Sequence, residues 1–259
     1  MKWAVSVPNV GKPADLVRFA REVDHAQWDG FFVEDHLQLD PSLRLDVHDP
    51  WGLLGAIAEV TRRVRLGTMG TLVPRRPSTL AKEVLTLDRL STGRAILGVG
   101  RGVPADDELG AFSEPTGSSE HTVLLDDGLE VIDLMLRGQP VRHAHGAFEI
   151  DAERLPASIQ RPRPPIWVAA EAPHRGPIER AARFDGVYAV GSGRMPLSPD
   201  ALVAYLGPLA GRPGFDVVAG LAPGHRPEDY EAIGVTWLVE STWPEGDWLT
   251  ELRDRVASR

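Results

Sequence analysis

The sequence predicts an α/β fold, a single (β/α)8 barrel that spans residues 1–259. Three observations support this prediction: the length, an eightfold alternation of strand-like and helix-like segments, and the apolar character of the strand-like segments. Barrels of this class typically use roughly 250 residues around one core. Short runs that are apolar throughout indicate parallel strands that are buried on both faces. A doubly wound open sheet has the same alternation and remains the main alternative.

The first half of the chain contains four strand–helix units. Residues 3–7 form a short apolar run closed by Pro8, and residues 13–28 carry apolar side chains close to the 3.6-residue helical period. The next three units, given as strand and helix, are 30–33 with 51–60, 64–68 with 79–90, and 95–99 with 121–136.

The second half contains four more units. They are 166–170 with 178–184, 187–190 with 199–209, 217–221 with 227–233, and 236–239 with 248–256. Two insertions interrupt the pattern, one after the fourth strand (101–120) and one after the fourth helix (139–165). In the second, residues 148–150 predict a short extra strand. Loops that follow barrel strands open onto the face where active sites lie.

Composition narrows the functional classes. With 28 Lys and Arg against 37 Asp and Glu, the formal charge of -9 disfavours binding to nucleic acid. The absence of cysteine excludes disulfides and thiolate zinc sites. No stretch approaches the 18 or more apolar residues that a membrane span needs. We therefore expect a cytoplasmic protein with a small-molecule substrate and neither nucleic acid nor membrane as partner.

The second strand is followed by Asp35 and His36, the first candidates for chemistry. A histidine can exchange protons near neutral pH, and a neighbouring acid can orient it. We therefore expect His36 to be catalytic, with Asp35 as its orienting group.

Glycines mark the ends of the third and fourth strands. Gly67, Thr68 and Gly70 end the third strand, where a residue without a side chain allows a flat ligand to approach the backbone. The fourth strand ends near Gly100, but no complete G-x-G-x-x-G is present and no helix opens at once. A dinucleotide-binding Rossmann site is therefore rejected.

Ten segments, taken in order along the chain, carry a more specific signal. They are 2–9, 28–33, 35–36, 49–51, 64–68, 87–94, 97–100, 164–169, 181–187 and 234–240. Together they resemble the bacterial-luciferase-like family of flavin- or F420-dependent oxidoreductases, and the likeness extends over nearly the whole chain.

The resemblance implies a barrel whose C-terminal mouth holds FMN or coenzyme F420, with F420 favoured by the Asp35–His36 pair. His36 would lie beside the redox-active ring, and Gly67, Thr68 and Gly70 would form a bulge beneath it. The phosphate end would be held after the fifth barrel strand. The expected cofactor-binding residues beyond the third strand are Gly100, Ala170, His174, Arg175, Gly176 and Gly191.

Two departures from the family pattern leave the substrate class open. Relatives often carry an aromatic residue where this chain has Leu39 and Asp40, and a glutamate after the fourth strand where it has Gly102 and Val103. An FMN-dependent monooxygenase and a catalytically silent flavin-binding barrel remain alternatives, and a homodimer through helices near the third and fourth units is compatible with the resemblance.

A metal-dependent barrel hydrolase is a further alternative. His143 and His145 form an H-x-H that could offer two ligands on one strand face. The pair lies in the second insertion rather than at the end of a barrel strand, so we expect no metal site there.

Overall fold

The computed structural model describes residues 1–71, 75–102, 108–153 and 155–259. Its strands in these ranges are β1 (Lys2–Val7), β2 (Gly30–Glu34), β3 (Arg65–Thr71), β4 (Ala95–Gly100), β5 (Val141–His145), β6 (Phe148–Ala152), β7 (Ile166–Glu171), β8 (Gly186–Val190), β9 (Asp216–Gly220) and β10 (Trp237–Glu240). Its α-helices are α1 (Pro13–His25), α2 (Pro50–Val60), α3 (Pro77–Leu90), α4 (Ser118–Leu136), α5 (Arg175–Ala181), α6 (Pro199–Leu206), α7 (Pro227–Glu231) and α8 (Trp248–Ala257). Within the ranges described, no helix is both long and apolar enough to cross a bilayer.

Eight parallel strands close into a barrel, with β5 and β6 outside it. The order around the ring is β1, β2, β3, β4, β7, β8, β9 and β10. β10 pairs with β1 in parallel, with Lys2 opposite Trp237, so the last unit closes on the first. The predicted (β/α)8 barrel is therefore confirmed, and the open-sheet alternative is wrong.

Element boundaries differ from the predictions where backbone geometry decides them. α1 ends at His25 rather than Trp28, because Gln27 adopts a left-handed φ of 64° that no helix can continue. β3 runs three residues beyond its predicted end at Thr68, because Met69, Gly70 and Thr71 all pair with β4. α5 begins at Arg175, three residues before the predicted start.

The barrel interior is filled by aromatic side chains. Phe32, Trp167 and Trp237 pack with ring centroids 5.2–6.4 Å apart. Asp216 accepts hydrogen bonds from both indole N–H groups, at 3.1 Å from Trp167 and 3.2 Å from Trp237. Since this cluster blocks the barrel, a ligand can enter only above it, at the carboxyl ends of the strands.

The second insertion folds as an antiparallel hairpin of β5 and β6. The extra strand predicted at 148–150 is confirmed as β6, whereas the sequence did not predict β5. The turn between them wraps the Asp127 carboxylate of α4, which accepts hydrogen bonds from the N–H groups of Ala147 (2.6 Å) and Phe148 (2.9 Å). This contact attaches the hairpin to α4.

Candidate functional site

A cavity of about 570 Å³ opens at the carboxyl ends of the barrel strands. Its apolar part includes Met69, Trp167 and Tyr188, and its polar wall includes Glu34, Asp35, His36 and Glu108. A volume of this size suits a small organic ligand or cofactor.

Asn9, on the loop after β1, holds the backbone of His36 in place. Asn9 is fully buried, and its amide group makes two bonds with this residue. The His36 N–H donates to Asn9 Oδ1 at 3.2 Å, and Asn9 Nδ2 donates to the His36 carbonyl at 2.8 Å. The imidazole is therefore held at the cavity wall.

The His36 ring lies between two carboxylates. Its Nε2 is 2.9 Å from Glu34 Oε2, and its Nδ1 is 3.2 Å from both oxygens of Glu108. An ionised carboxylate only accepts hydrogen bonds, so both ring nitrogens carry protons. Burial lowers the pKa of His36, but the hydrogen bonds and charges of Glu108 and Glu34 outweigh it and raise the pKa to about 9. At neutral pH the group is an imidazolium, rather than one that exchanges protons near pH 7.

We expect an NMR titration of the His36 ring to report a pKa near 9. Because the folded pKa lies above the ordinary value of 6.5, protonated His36 contributes its full stabilisation below pH 6.5 and loses it as pH rises through about 9. Glu108→Gln should lower this pKa, whereas Glu120→Gln, an exposed change on α4, should leave it unchanged. A pKa of 6.5 or below in the unmodified protein would contradict the two-carboxylate arrangement.

The carboxylate of Asp35 bonds to Arg75, whereas the His36 ring bonds to Glu34 and Glu108. The Arg75 guanidinium also lies 3.2 Å from Asp49 and 3.3 Å from Glu83. Burial raises the pKa of Asp35 to about 6 against the attraction of Arg75, and burial likewise raises the pKa of Glu83 to about 7. Asp35 lines the cavity, and the expected direct contact between its carboxylate and the His36 ring is not among the hydrogen bonds of the described residues.

The groups that orient His36 were missed from the sequence. Glu34 precedes it by two residues, and in an extended backbone side chains two apart point to the same side. The spacing E-x-H was therefore the available signal. Glu108 lies on the loop after β4, beyond Gly102, and its Oε1 also accepts the Leu37 N–H at 2.6 Å. The loop after β4 thus carries a glutamate, although not at the two positions where the family pattern places it. One of them, Val103, lies outside the described residues.

The predicted glycine positions divide into two groups. Gly70 and Gly100 line the cavity. Gly67 and Thr68 are absent from its lining: a Cβ on Gly67 would lie 1.8 Å from the Ile96 carbonyl oxygen, and Thr68 Oγ1 donates to the Gly98 carbonyl at 3.1 Å. These two residues serve the close pairing of β3 with β4.

The residues expected at the phosphate end are mostly outside the cavity wall. Ala170 lines it, but His174, Arg175 and Gly176 are exposed around the start of α5. Arg175 Nη1 donates to the Tyr205 carbonyl at 2.5 Å, so this side chain is directed towards α6.

Gly191 also lies outside the wall, although its neighbours Gly193 and Arg194 contribute to it. Its N–H donates to the Met195 carbonyl at 2.7 Å, which shapes the turn after β8.

Among the described residues, positive charge reaches the cavity from three arginines, Arg101, Arg180 and Arg194. Arg180 is neutralised by a bidentate pair with Asp126, both contacts at 2.8 Å. Arg194 lies over the exposed Trp243 ring, 5.4 Å from its centroid. Arg101 and Arg194 are therefore better placed than Arg175 to meet an anionic group of a ligand in this cavity.

Two further polar groups in the wall suit a ligand with a polar edge. Ser6 Oγ at the barrel mouth is buried and has no hydrogen-bond partner among the described residues. Burial and the neighbouring Glu34 raise the pKa of Tyr188 to about 12, so its hydroxyl keeps its proton. The unpartnered hydroxyl of Ser6 lowers the stability of the folded protein unless a ligand or water forms a hydrogen bond with it. Beside an apolar floor, this donor set fits the flat, polar-edged ring of a flavin or deazaflavin.

Sequence relatives are found among F420-dependent enzymes. A stretch of 166 residues is 29% identical to the F420-dependent glucose-6-phosphate dehydrogenase of Amycolatopsis mediterranei and covers 62% of this chain and 49% of that protein. The enzyme of the same name from Kineococcus radiotolerans is 30% identical over 191 residues, covering 70% of this chain and 53% of the relative. The chain thus spans about half the length of these curated relatives.

Solved structures share the fold over almost the entire chain. The F420-dependent tetrahydromethanopterin reductase of Methanopyrus kandleri superposes with a TM-score of 0.77 at 16% identity, covering 98% of this chain and 96% of that one. The family model for luciferase-like monooxygenases matches residues 2–194, well over half of the chain. The chain therefore belongs to the luciferase-like monooxygenase family.

Proposed function

We propose that this protein is an F420- or flavin-dependent oxidoreductase that transfers a hydride between the reduced cofactor and a small organic substrate, with F420 preferred. The observation that carries the proposal is the imidazolium of His36, held by two carboxylates at the wall of a cavity large enough for a ring system. The names of the curated relatives, which are F420-dependent enzymes, support the preference.

The protein's own groups position the reactants and handle a proton, while the bound cofactor supplies the redox chemistry. His36 is proposed to donate the proton that accompanies hydride transfer, and Glu34 and Glu108 to hold its ring in place. Ser6 and Tyr188 would offer hydrogen bonds to polar edges in the cavity. Small residues at Gly70, Gly100 and Ala170 would leave room for the ring.

The proposal also covers the binding partner, the cellular location and the assembly of the protein. The cavity volume of about 570 Å³ supports a small molecule as the partner. We place the protein in the cytoplasm, with which the absence of cysteine is compatible, and keep a homodimer as an assembly compatible with the family resemblance.

Titration of the purified protein with F420 and with FMN tests the proposal. We expect F420 to bind at least tenfold more tightly than FMN, measured by the change in cofactor fluorescence. Ala169→Phe, which places a ring in the cavity wall, should abolish binding, whereas Ala14→Phe on the exposed side of α1 should not. Tight binding of FMN alone would favour the monooxygenase alternative, and binding of neither cofactor would overturn the proposal.

A further inference from the structure

Four metal-ligating side chains converge outside the barrel, on the face that α4 shares with the β5–β6 hairpin. They are Asp127 and Glu130 from α4 and His143 and His145 from β5. One donor atom from each lies within 4.8 Å of the other three. The sequence alone led us to expect no metal at His143 and His145, but with the two carboxylates beside them we propose a second site, which binds a divalent transition metal such as Zn²⁺ and fastens the hairpin to α4.

The spacing of the four residues makes the convergence a property of the fold. Residues three apart on a helix share one face, and residues two apart on a strand point to the same side. Glu130 therefore lies beside Asp127, and His145 beside His143, so each element offers a pair of ligands to the other. The H-x-H motif alone supplies only two ligands. Packing of the hairpin on α4 adds the two carboxylates.

The buried half of the site is preorganised. Asp127 and His143 are both buried, and the hydrogen bond between Asp127 Oδ1 and His143 Nε2 joins them. The other oxygen of Asp127 accepts two backbone N–H groups from the hairpin turn, which fixes the carboxylate. Gly146 makes this approach possible, because a Cβ there would lie 2.6 Å from Asp127 Cγ. Such outer hydrogen bonds orient ligands in known metal sites.

The exposed half of the site can close on an ion. The Glu130 and His145 side chains are 58% and 68% exposed, and His145 Nε2 is 3.7 Å from Glu130 Oε2. Ligands about 2.0–2.2 Å from a tetrahedral zinc ion lie roughly 3.3–3.6 Å from one another, so contraction by about 1 Å is needed. Rotation of the two exposed side chains can provide it. In the buried pair the ion would take the place of the proton between Asp127 Oδ1 and His143 Nε2, and these two atoms would move apart to ligand spacing. Two imidazoles and two carboxylates suit Zn²⁺ and related ions better than Ca²⁺ or Mg²⁺, which prefer oxygen ligands alone.

Titration of tag-free protein with Zn²⁺, followed by calorimetry, tests this site. We expect one equivalent to bind and to raise the melting temperature, since a ligand of the folded state alone stabilises it. His145→Ala and Glu130→Gln, both at exposed positions, should weaken binding at least tenfold without changing the metal-free fold. His25→Ala, which removes an exposed histidine from the end of α1, should bind as the unmodified protein does. Binding should also weaken as pH falls, because protons compete for the ligands.

Titration with Co²⁺ provides a second readout, because its visible absorption reports the coordination of the ion. Intense bands typical of a tetrahedral site should appear with the unmodified protein and with His25→Ala, and be lost with His145→Ala. Absence of Zn²⁺ binding, or equal affinity of the unmodified protein and His145→Ala, would overturn the proposal. Neither result depends on the cofactor, so this test stands apart from that of the proposed function.

Discussion

Replacing Trp237 by alanine is expected to lower the free energy of unfolding by about 3–5 kcal/mol, as large aromatic deletions in a packed core do. Its side chain is almost fully buried in the barrel interior and packs against Trp167 and Phe32. The deletion leaves a void that the closed ring of strands cannot collapse around. It also removes one of the hydrogen bonds to the half-buried Asp216 carboxylate at the start of β9. Chemical denaturation monitored by circular dichroism measures the change.

Two further variants serve as controls. One separates the loss of packing from the loss of the hydrogen bond, and the other measures the effect of removing an exposed tryptophan. Trp237→Phe keeps a ring but loses the N–H, and should cost about 1–2 kcal/mol. Trp243 is 42% exposed at the cavity mouth, so Trp243→Ala should change the unfolding free energy by about 0.5 kcal/mol or less. If Trp237→Ala were as stable as Trp243→Ala, the aromatic interior would not be a source of the barrel's stability.

The barrel was predictable because its determinants are local and repeated. Runs such as Ala95–Gly100 are buried along their whole length, and a strand buried on both faces leaves an uninterrupted apolar pattern in the sequence. β5 could not be found this way. Its five residues include two histidines and an arginine, and only part of one face is covered, so its pattern resembles that of a polar loop.

Only the part of the site that directly follows a single strand could be predicted from the sequence. His36 follows β2 directly, which marks it as a mouth residue in any barrel. Its partners depend on the tertiary structure: Glu108 is 72 positions further along the chain, and Arg75, which pairs with Asp35, is 40 positions away from it. No spacing rule connects residues so far apart. The sequence therefore predicted a catalytic pair, Asp35 and His36, where the fold forms two separate ionic clusters.

The last prediction concerns the proposed reaction. His36→Ala should reduce turnover by on the order of 100-fold or more, the usual scale for removing a general acid. Turnover would be followed through the absorbance of the cofactor, which is supplied in its reduced form, with a panel of carbonyl compounds as substrates. Cofactor affinity should remain within roughly tenfold of the original, about 1.4 kcal/mol, because the other cavity walls are untouched. The variant should also lose about 1–3 kcal/mol of stability, since Glu34 and the buried Glu108 each lose a hydrogen-bond partner.

The pH dependence distinguishes an acid from a packing residue. If protonated His36 supplies the proton, its titration should not change the turnover of the unmodified enzyme between pH 5 and 8, because the group stays protonated over this range. It should then fall as pH rises through about 9, the folded pKa of His36. Glu108→Gln retains the imidazole but lowers its pKa, so the alkaline fall should move to lower pH. Glu120→Gln, at an exposed position that does not line the cavity, should leave the profile unchanged. Turnover that continues undiminished above pH 10 in the unmodified enzyme, or an unchanged profile in Glu108→Gln, would remove His36 from the proton transfer and restrict it to holding Glu34 and Glu108 together.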